Sequence, residues 1–283
     1  LEYKRYENQH AEIYVTESSD RAFEEEVMLS GFANAQVKAE GQGVSFDTAQ
    51  ETYSARYTHD TVALAFAITE EAIEDNLYDR LASRYTKALA RSMSNAKQVK
   101  AAKPLNDGLP STDNFDSGDG VSLFNTSHAT VSGTNVKNTL TTQADLNETS
   151  LEQALIDIAA MTDERGLRVA ARAMKMIIPS ANQFTAERLM KSQGRVGTAD
   201  NDINAVVSMG MVPQGYRVNN FLTDTDSWYL ITDVPNGMKM FQRAALKTAM
   251  EGDFDTGNVR YKARERYSFG VSDYRGIFGC EGA

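Results

Sequence analysis

Cysteine is almost absent. Cys280 is the only one in 283 residues, so no internal disulfide framework can staple the fold, and the chain suits a reducing compartment. Cys280 lies in a glycine-flanked tail with no histidine nearby in sequence and reads as an incidental thiol rather than a nucleophile. Long apolar runs are missing too: none approaches the ~18–20 residues that cross a bilayer, and no signal peptide is visible. Positive charge is in deficit. The 29 basic and 39 acidic side chains leave a formal charge of −10, which argues against a protein that grips nucleic acid with its whole surface while permitting proximity to it. Histidine occurs only at His10, His59 and His128, far apart and without a second ligand at zinc-site spacing.

Motifs that would mark an enzyme are also lacking. Gly118-Asp119-Gly120 is followed by no lysine or helix start that could hold a phosphate, so it reads as a turn. Asp224 and Asp226, at i, i+2 before a strand, read as turn formers. No serine stands in a nucleophile elbow. Asp253 and Asp255 could open a calcium loop, but position five is Gly257, position six Asn258 and position twelve Arg264, and a guanidinium at the chelating position would repel the ion. No catalytic, cofactor-binding or metal-ligating residue is singled out, and no cofactor is called.

What the sequence does contain is patterned. From Val259 to Val271 the odd positions carry Val259, Tyr261, Ala263, Glu265, Tyr267, Phe269 and Val271, and the even ones begin Arg260, Lys262, Arg264, Arg266. This period-two alternation predicts a long half-buried strand whose polar face meets solvent or an acidic partner. Residues 1–35 are polar with scattered aromatics and read as an arm, with a short helix in RAFEEEV (Arg21–Val27). QVKAEGQGVSF and TYSARYTHDTVALAFAI predict a two-stranded hairpin over residues 36–67, and such a ribbon is marginal unless another surface covers it. Thr69 to about Lys103 predicts one helix, capped by Thr69, acidic at its start and basic towards its end. Its apolar stripe runs Ile73, Leu77, Leu81, Tyr85, Leu89, Met93, Ala96, Val99, and Pro104 is its expected stop. At 1.5 Å per residue this helix measures roughly 50 Å, against a radius of gyration of ~19 Å for a compact chain of this size, which predicts an elongated or flat subunit.

Residues 104–145, rich in Gly, Ser, Thr, Asn and Asp, read as an irregular surface insertion. A helix then starts at the capping box Thr149-x-x-Glu152, with Leu151, Leu155, Ile158 and Met161 on one side and Gly166 as its stop. MKMIIP is a buried strand. Helices in SANQFTAERLMKSQ and NDINAVVSMG and strands in GYRVNNFLTD and SWYLITD precede the final long strand. The fold class is α+β, with no internal repeat.

Several phrases resemble a known family. NLYDRLASRYTKALARSM (Asn76–Met93), GDGVSLFNTSH (Gly118–His128), TTQADLNETSLEQALIDIAAMTDERGL (Thr141–Leu167), LTDTDSWYLITDVPNGMKMFQR (Leu222–Arg243) and DFDTGNVRYKARERYSFGVSDYRGIFG (Asp253–Gly279) are similar to the Mu-like major head subunits among the HK97-type major capsid proteins of tailed bacteriophages. The sequence departs from that pattern at Ala129, where the family commonly has proline, and at Cys280-Glu281. The resemblance implies an N-terminal arm (1–35), an extended loop lying over an adjacent subunit (36–67) and a peripheral domain with a spine helix at 69–103 and the following insertion (68–144). It further implies an axial domain (about 145–245) and a return to the peripheral domain (246–283). It implies hexamers and pentamers of this chain closing an icosahedral shell around double-stranded DNA contacted non-specifically, assembled in the bacterial host cytoplasm and found in the virion capsid. The implied partners are a portal, a scaffold or maturation protease and a decoration protein, with no membrane. Because the sequence begins at Leu1, a leading segment is expected to have been removed or to lie outside it. Two alternatives stand beside this: an encapsulin-like compartment shell, and an enzyme whose site is assembled only in three dimensions.

Overall fold

The computed structural model describes residues 3–5, 7–75, 78–112, 114–194, 202–253 and 255–283. In chain order come β1 (Val15–Ser18), β2 (Phe23–Leu29), β3 (Glu51–Thr58), β4 (Asp60–Ile68), α1 (Glu70–Glu74) and α2 (Tyr78–Asp107). Two short strands, β5 (His128–Ala129) and β6 (Asn135–Val136), precede α3 (Glu148–Ala160), β7 (Ala173–Ile178), α4 (Gln183–Lys191) and α5 (Ala205–Ser208). The chain ends with β8 (Tyr216–Val218), β9 (Trp228–Thr232), β10 (Met238–Gly252), β11 (Val259–Val271) and β12 (Ile277–Cys280). The sheets order as β1-β10-β11-β4, β12-β9-β7-β8, β2-β3 and β5-β6. The residues divide into one compact unit of 1–24, 57–102 and 240–269 and another of 25–56, 103–239 and 270–283.

In the first unit, β11 alternates as its sequence dictates. Ala263, Glu265 and Tyr267 are buried, while Arg260, Lys262 and Arg264 face out. β4 pairs with it antiparallel, from Val259 opposite Ile68 to Tyr267 opposite Asp60. Leu89, Met93 and Ala263 form a core cluster joined by Val62, Phe66 and Leu246, so α2 packs on the inward side of this sheet. Thr69 caps the helix start as expected, its hydroxyl oxygen accepting from the Ala72 amide. That helix, α1, ends at Glu74 with Asp75 as its C-cap, so the single helix expected from Thr69 to Lys103 is two elements, α1 and α2. Asn76 and Leu77 lie outside the described residues. The predicted stripe holds at Leu89 and Met93 and then fails. Tyr85 and Val99 are exposed, and the buried positions become Ser94, Lys97, Gln98 and Ala101. Lys97 and Gln98 are buried on that face because both find a partner: Lys97 pairs with Glu265 at 3.2 Å, and Gln98 bonds the His10 ring at 2.9 Å. A hydropathy stripe cannot register burial bought with ion pairs and hydrogen bonds.

Three boundaries near the N-terminus differ from expectation. RAFEEEV is strand rather than helix, because half-buried Glu24, Glu26 and Met28 alternate with exposed Phe23, Glu25, Val27 and Leu29. The hairpin pairs β2 with β3, so its strands are 23–29 and 51–58 and the intervening residues 30–50 contain none. The long run through His59 divides there into β3 and β4, which belong to different sheets.

Pro104 does not stop α2, which runs on to Asp107. The end comes at Gly108, where a Cβ would sit 2.6 Å from the Pro104 carbonyl oxygen and 2.7 Å from Leu123 Cβ. The following segment is irregular but is no surface insertion. Leu109, Leu123, Phe124, His128 and Asn138 are buried with Trp228, Tyr229, Leu230 and Phe278, and residues 103–144 cluster with 145–239 rather than with the preceding helix. The ring of Phe124 lies 5.3 Å from that of Tyr229, whose hydroxyl donates to the Leu105 carbonyl at 3.1 Å. Turn-rich composition marks missing regular structure, not exposure.

α3 buries Leu151, Leu155 and Ile158 as its periodicity predicts, but its cap is Asn147, which exchanges hydrogen bonds with Ser150 in a capping box. Thr149 therefore lies inside the helix, and the helix ends at Ala160, before Gly166. β7 and β9 appear as expected, whereas only three residues of GYRVNNFLTD form β8. Five strands were not foreseen: β1, β5 and β6, which are short, and β10 and β12. β10 reads AALKTAME through its middle, a helix-favouring composition overridden by pairing with β11. β12 seats Ile277–Cys280 beside β9, with Cys280 opposite Trp228. Residues 270–283 accordingly cluster with the second unit.

Candidate functional site

The three histidines occupy separate, buried settings. His10 is held by Gln98, and its pKa is lowered from 6.5 to about 4, by burial first and by the Lys97 charge second, against a smaller opposing contribution from the Gln98 bond. His59 lies between Ser19, 2.9 Å from Nε2, and Ser268, 3.0 Å from Nδ1. Ser19 Oγ donates at 2.6 Å to Glu24, so its proton is committed to a carboxylate and Nε2 donates to the hydroxyl. This arrangement fastens three segments together and does not ready a nucleophile. His128 directs Nδ1 at Asp119, 2.6 Å away, and Nε2 at Asn138 Oδ1, 3.1 Å away. The Asn138 amide is oriented by donating to the carbonyls of Leu123 and Tyr274, so Nε2 must donate to it. The imidazole stacks on Tyr274 at 3.9 Å. Asp119 thus sits in a turn, as its flanking glycines predict, and that turn is fastened to a buried histidine.

The other residues weighed in the sequence have local roles. Asp224 accepts from the Asp226 amide at 3.0 Å, the turn expected of that pair. Asp253 accepts from the Thr256 hydroxyl and pairs with Arg260, closing the β10–β11 turn. Among the described residues no group of three or more acidic, histidine or cysteine side chains could hold a metal. Burial raises the Cys280 thiol above its ordinary value, and Sγ donates to Gln143 Oε1 at 3.0 Å. None of these settings combines an accessible nucleophile with a base.

The conspicuous feature is a surface. Between β2 and β3 the chain runs through residues 30–50 with its base fastened: the Ser30 amide donates to the Gln50 carbonyl at 2.8 Å, and the Ala33 amide to Asp47 at 2.7 Å. Arg165 pairs with Asp47 and donates to the Thr48 carbonyl. Beyond that base, Val37 is 100% and Phe46 93% exposed, with Phe32 and Val44 also largely bare. Large apolar side chains thus stand in water on an anchored loop. The sequence pointed to this region through residues 36–67; the structure moves the bare tip to 30–50.

A family model for phage capsid proteins matches residues 52–279. Among solved structures the chain is similar to the capsid of an empty GTA particle, with a TM-score of 0.61 and 14% identity over 96% of this chain and 89% of that one. It is similar as well to the capsid of cyanophage P-SCSP1u, with a TM-score of 0.59 and 12% identity over 95% and 86%. A virus-like particle from Pyrococcus furiosus matches with a TM-score of 0.54 and 9% identity over 99% and 94%. No curated protein matches in sequence.

Proposed function

The chain belongs to the phage capsid protein family and has the HK97-type capsid fold, and from that premise we propose how its parts serve assembly. It is a major capsid protein, a structural subunit of the virion shell whose copies associate into an icosahedral lattice. The family match favours a phage capsid over an encapsulin-like compartment. In this reading α2 is the spine of the peripheral domain, built with β1, β4, β10 and β11, and the unit holding α3, α4 and β7–β9 is the axial domain. The β2–β3 hairpin is the extended loop and the residues before β2 are the arm. Catalysis has no place in the reading, and neither does a cofactor.

One observation carries it: the anchored tip at 30–50, whose Val37 and Phe46 find no cover. About 25 cal/mol per Å² of apolar surface is gained when such side chains leave water, and a lattice multiplies each small gain over many copies. Hexamers and pentamers form the lattice, assembled in the host cytoplasm around double-stranded DNA. A portal, a scaffold or maturation protease and a decoration protein are its further partners. An acidic protein, at −10 per copy, lets packed DNA move without adhering. Size-exclusion chromatography of the full chain with negative-stain imaging tests the reading. Closed shells or capsomers support it, and a monomer with no larger species at high concentration refutes it.

A further inference from the structure

The outward face of the β1-β10-β11-β4 sheet carries charge opposite to that of the whole chain. Arg260, Lys262 and Arg264 on β11 are exposed and Arg266 is half-buried. Their β4 neighbours in register are Ala67, Ala65, Ala63 and Thr61. On β10, Leu246 packs inward against the Leu89–Met93 cluster, so alternation turns Arg243, Ala245, Lys247 and Ala249 outward. Arg266 shares its side of β11 with Ser268, which bonds the buried His59 ring at 3.0 Å, and Glu24 reaches the same ring through Ser19. Arg243 Nε and Arg266 Nε are buried without a hydrogen-bond partner. Of these six cations, Lys247, Arg260, Lys262 and Arg264 are exposed beside small side chains, and Arg243 and Arg266 are half-buried. Arg260 pairs with Asp253, while among the described residues Lys247, Lys262 and Arg264 have no carboxylate partner.

The same unit carries the complementary charge elsewhere. In α1 and just after it, Glu70, Glu71, Glu74 and Asp75 are exposed, and among the described residues none is ion-paired. This segment lies at the end of the sheet: a Cβ added to Gly257, in the β10–β11 turn, would collide with the Glu70 carboxylate. One copy thus presents acid at the tip of the sheet and base on its face, two different surfaces of opposite sign. A contact between them in separate copies is head-to-tail, the type that propagates or closes into rings.

We propose that the acidic α1 segment of one copy docks on the cationic β10–β11 face of another, setting the register of neighbouring subunits. The inference rests on the shell-forming function proposed above and adds to it a particular pair of surfaces. The alanine rows let a helix end approach the sheet closely, and the unpaired guanidinium and ammonium groups supply the donors that carboxylates accept. Paired charge of this kind contributes mostly specificity and association rate, so it is sensitive to salt.

Charge exchange tests the pairing on the full chain. Lys262→Glu with Arg264→Glu, and separately Glu70→Lys with Glu71→Lys and Glu74→Lys, should each reduce the assembled fraction at fixed concentration by about tenfold or more, because like charges then meet. The chain carrying both sets should recover to within about threefold of wild type. Circular dichroism and melting of each variant report folding. Should the reversed face unfold, Lys262→Gln with Arg264→Gln gives the same test through a flattened dependence of assembly on salt. If wild type assembles and the face variants assemble equally well, the pairing is wrong while the shell-forming role stands. If both single sets fail and the combined set stays as poor as either, the face serves another acidic partner such as nucleic acid, and the proposal is overturned. Wild type that never assembles instead removes the function on which the pairing rests.

Discussion

Lys97 and Glu265 are almost wholly buried, with side chains 8% and 2% exposed, and the Tyr3 hydroxyl donates to the same carboxylate at 3.0 Å. Removing one member of such a pair strands a charge in a dry site and costs about 3–5 kcal/mol, whereas replacing both with apolar groups can be neutral. Lys97→Met should therefore lower the unfolding free energy of the dissociated subunit by that amount in a denaturant titration. Lys97→Met combined with Glu265→Leu should regain most of it. A second residue-scale prediction concerns acid. The folded-state pKa of His10 is about 4, below the ordinary 6.5, so between those values the unfolded chain binds the proton that the folded one refuses. Stability from this residue is complete above pH 6.5 and declines towards pH 4, at up to roughly 1.4 kcal/mol per pH unit. His59, also lowered, acts with the same sign. Unfolding free energy measured against pH should show a shallower acid slope in His10→Gln than in wild type.

Among the elements, a close backbone approach brings Gly237, just before β10, against Gly276, just before β12. A Cβ on Gly276 would lie 2.3 Å from Gly237 Cα, and neither backbone can yield as a side chain could. Gly276→Ala is expected to cost about 1–3 kcal/mol, the usual range for overpacking, and to lower the melting temperature accordingly. Elements whose pattern is carried by their own side chains were legible in the sequence. β11 showed its alternation, α3 its Leu151–Leu155–Ile158 spacing, and α1 its Thr69 cap. Elements that depend on a distant partner were not. The middle of β10 has helical composition and is a strand because β11 lies beside it. The buried run Leu109–Leu123–Phe124 is irregular chain that only Tyr229 and Phe278 turn into core. Pro104 falls inside α2, and the stop is supplied by Gly108 meeting Leu123, more than a dozen residues away. The cationic row on β11 was readable, but its alanine surround depended on the register with β4.

On the scale of the molecule, a chain with hydrogen-bonded cores also holds Val37 and Phe46 in water on an anchored tip. That combination is costly for an isolated subunit and useful for one that meets its own copies. Folding and assembly should therefore separate. Residues 34–46 are exposed throughout, so replacing them with a short Gly-Ser connection should leave the melting temperature within a few degrees of wild type, the shift of a change worth under about 1 kcal/mol. The sedimentation velocity of that variant, run beside wild type at the same high concentration, is the decisive comparison. Wild type should sediment as closed shells or capsomers, and the tip-replaced chain as a folded monomer. Shells of normal size from the tip-replaced chain, or a lone monomer from wild type, would contradict a subunit whose bare hairpin needs a neighbour.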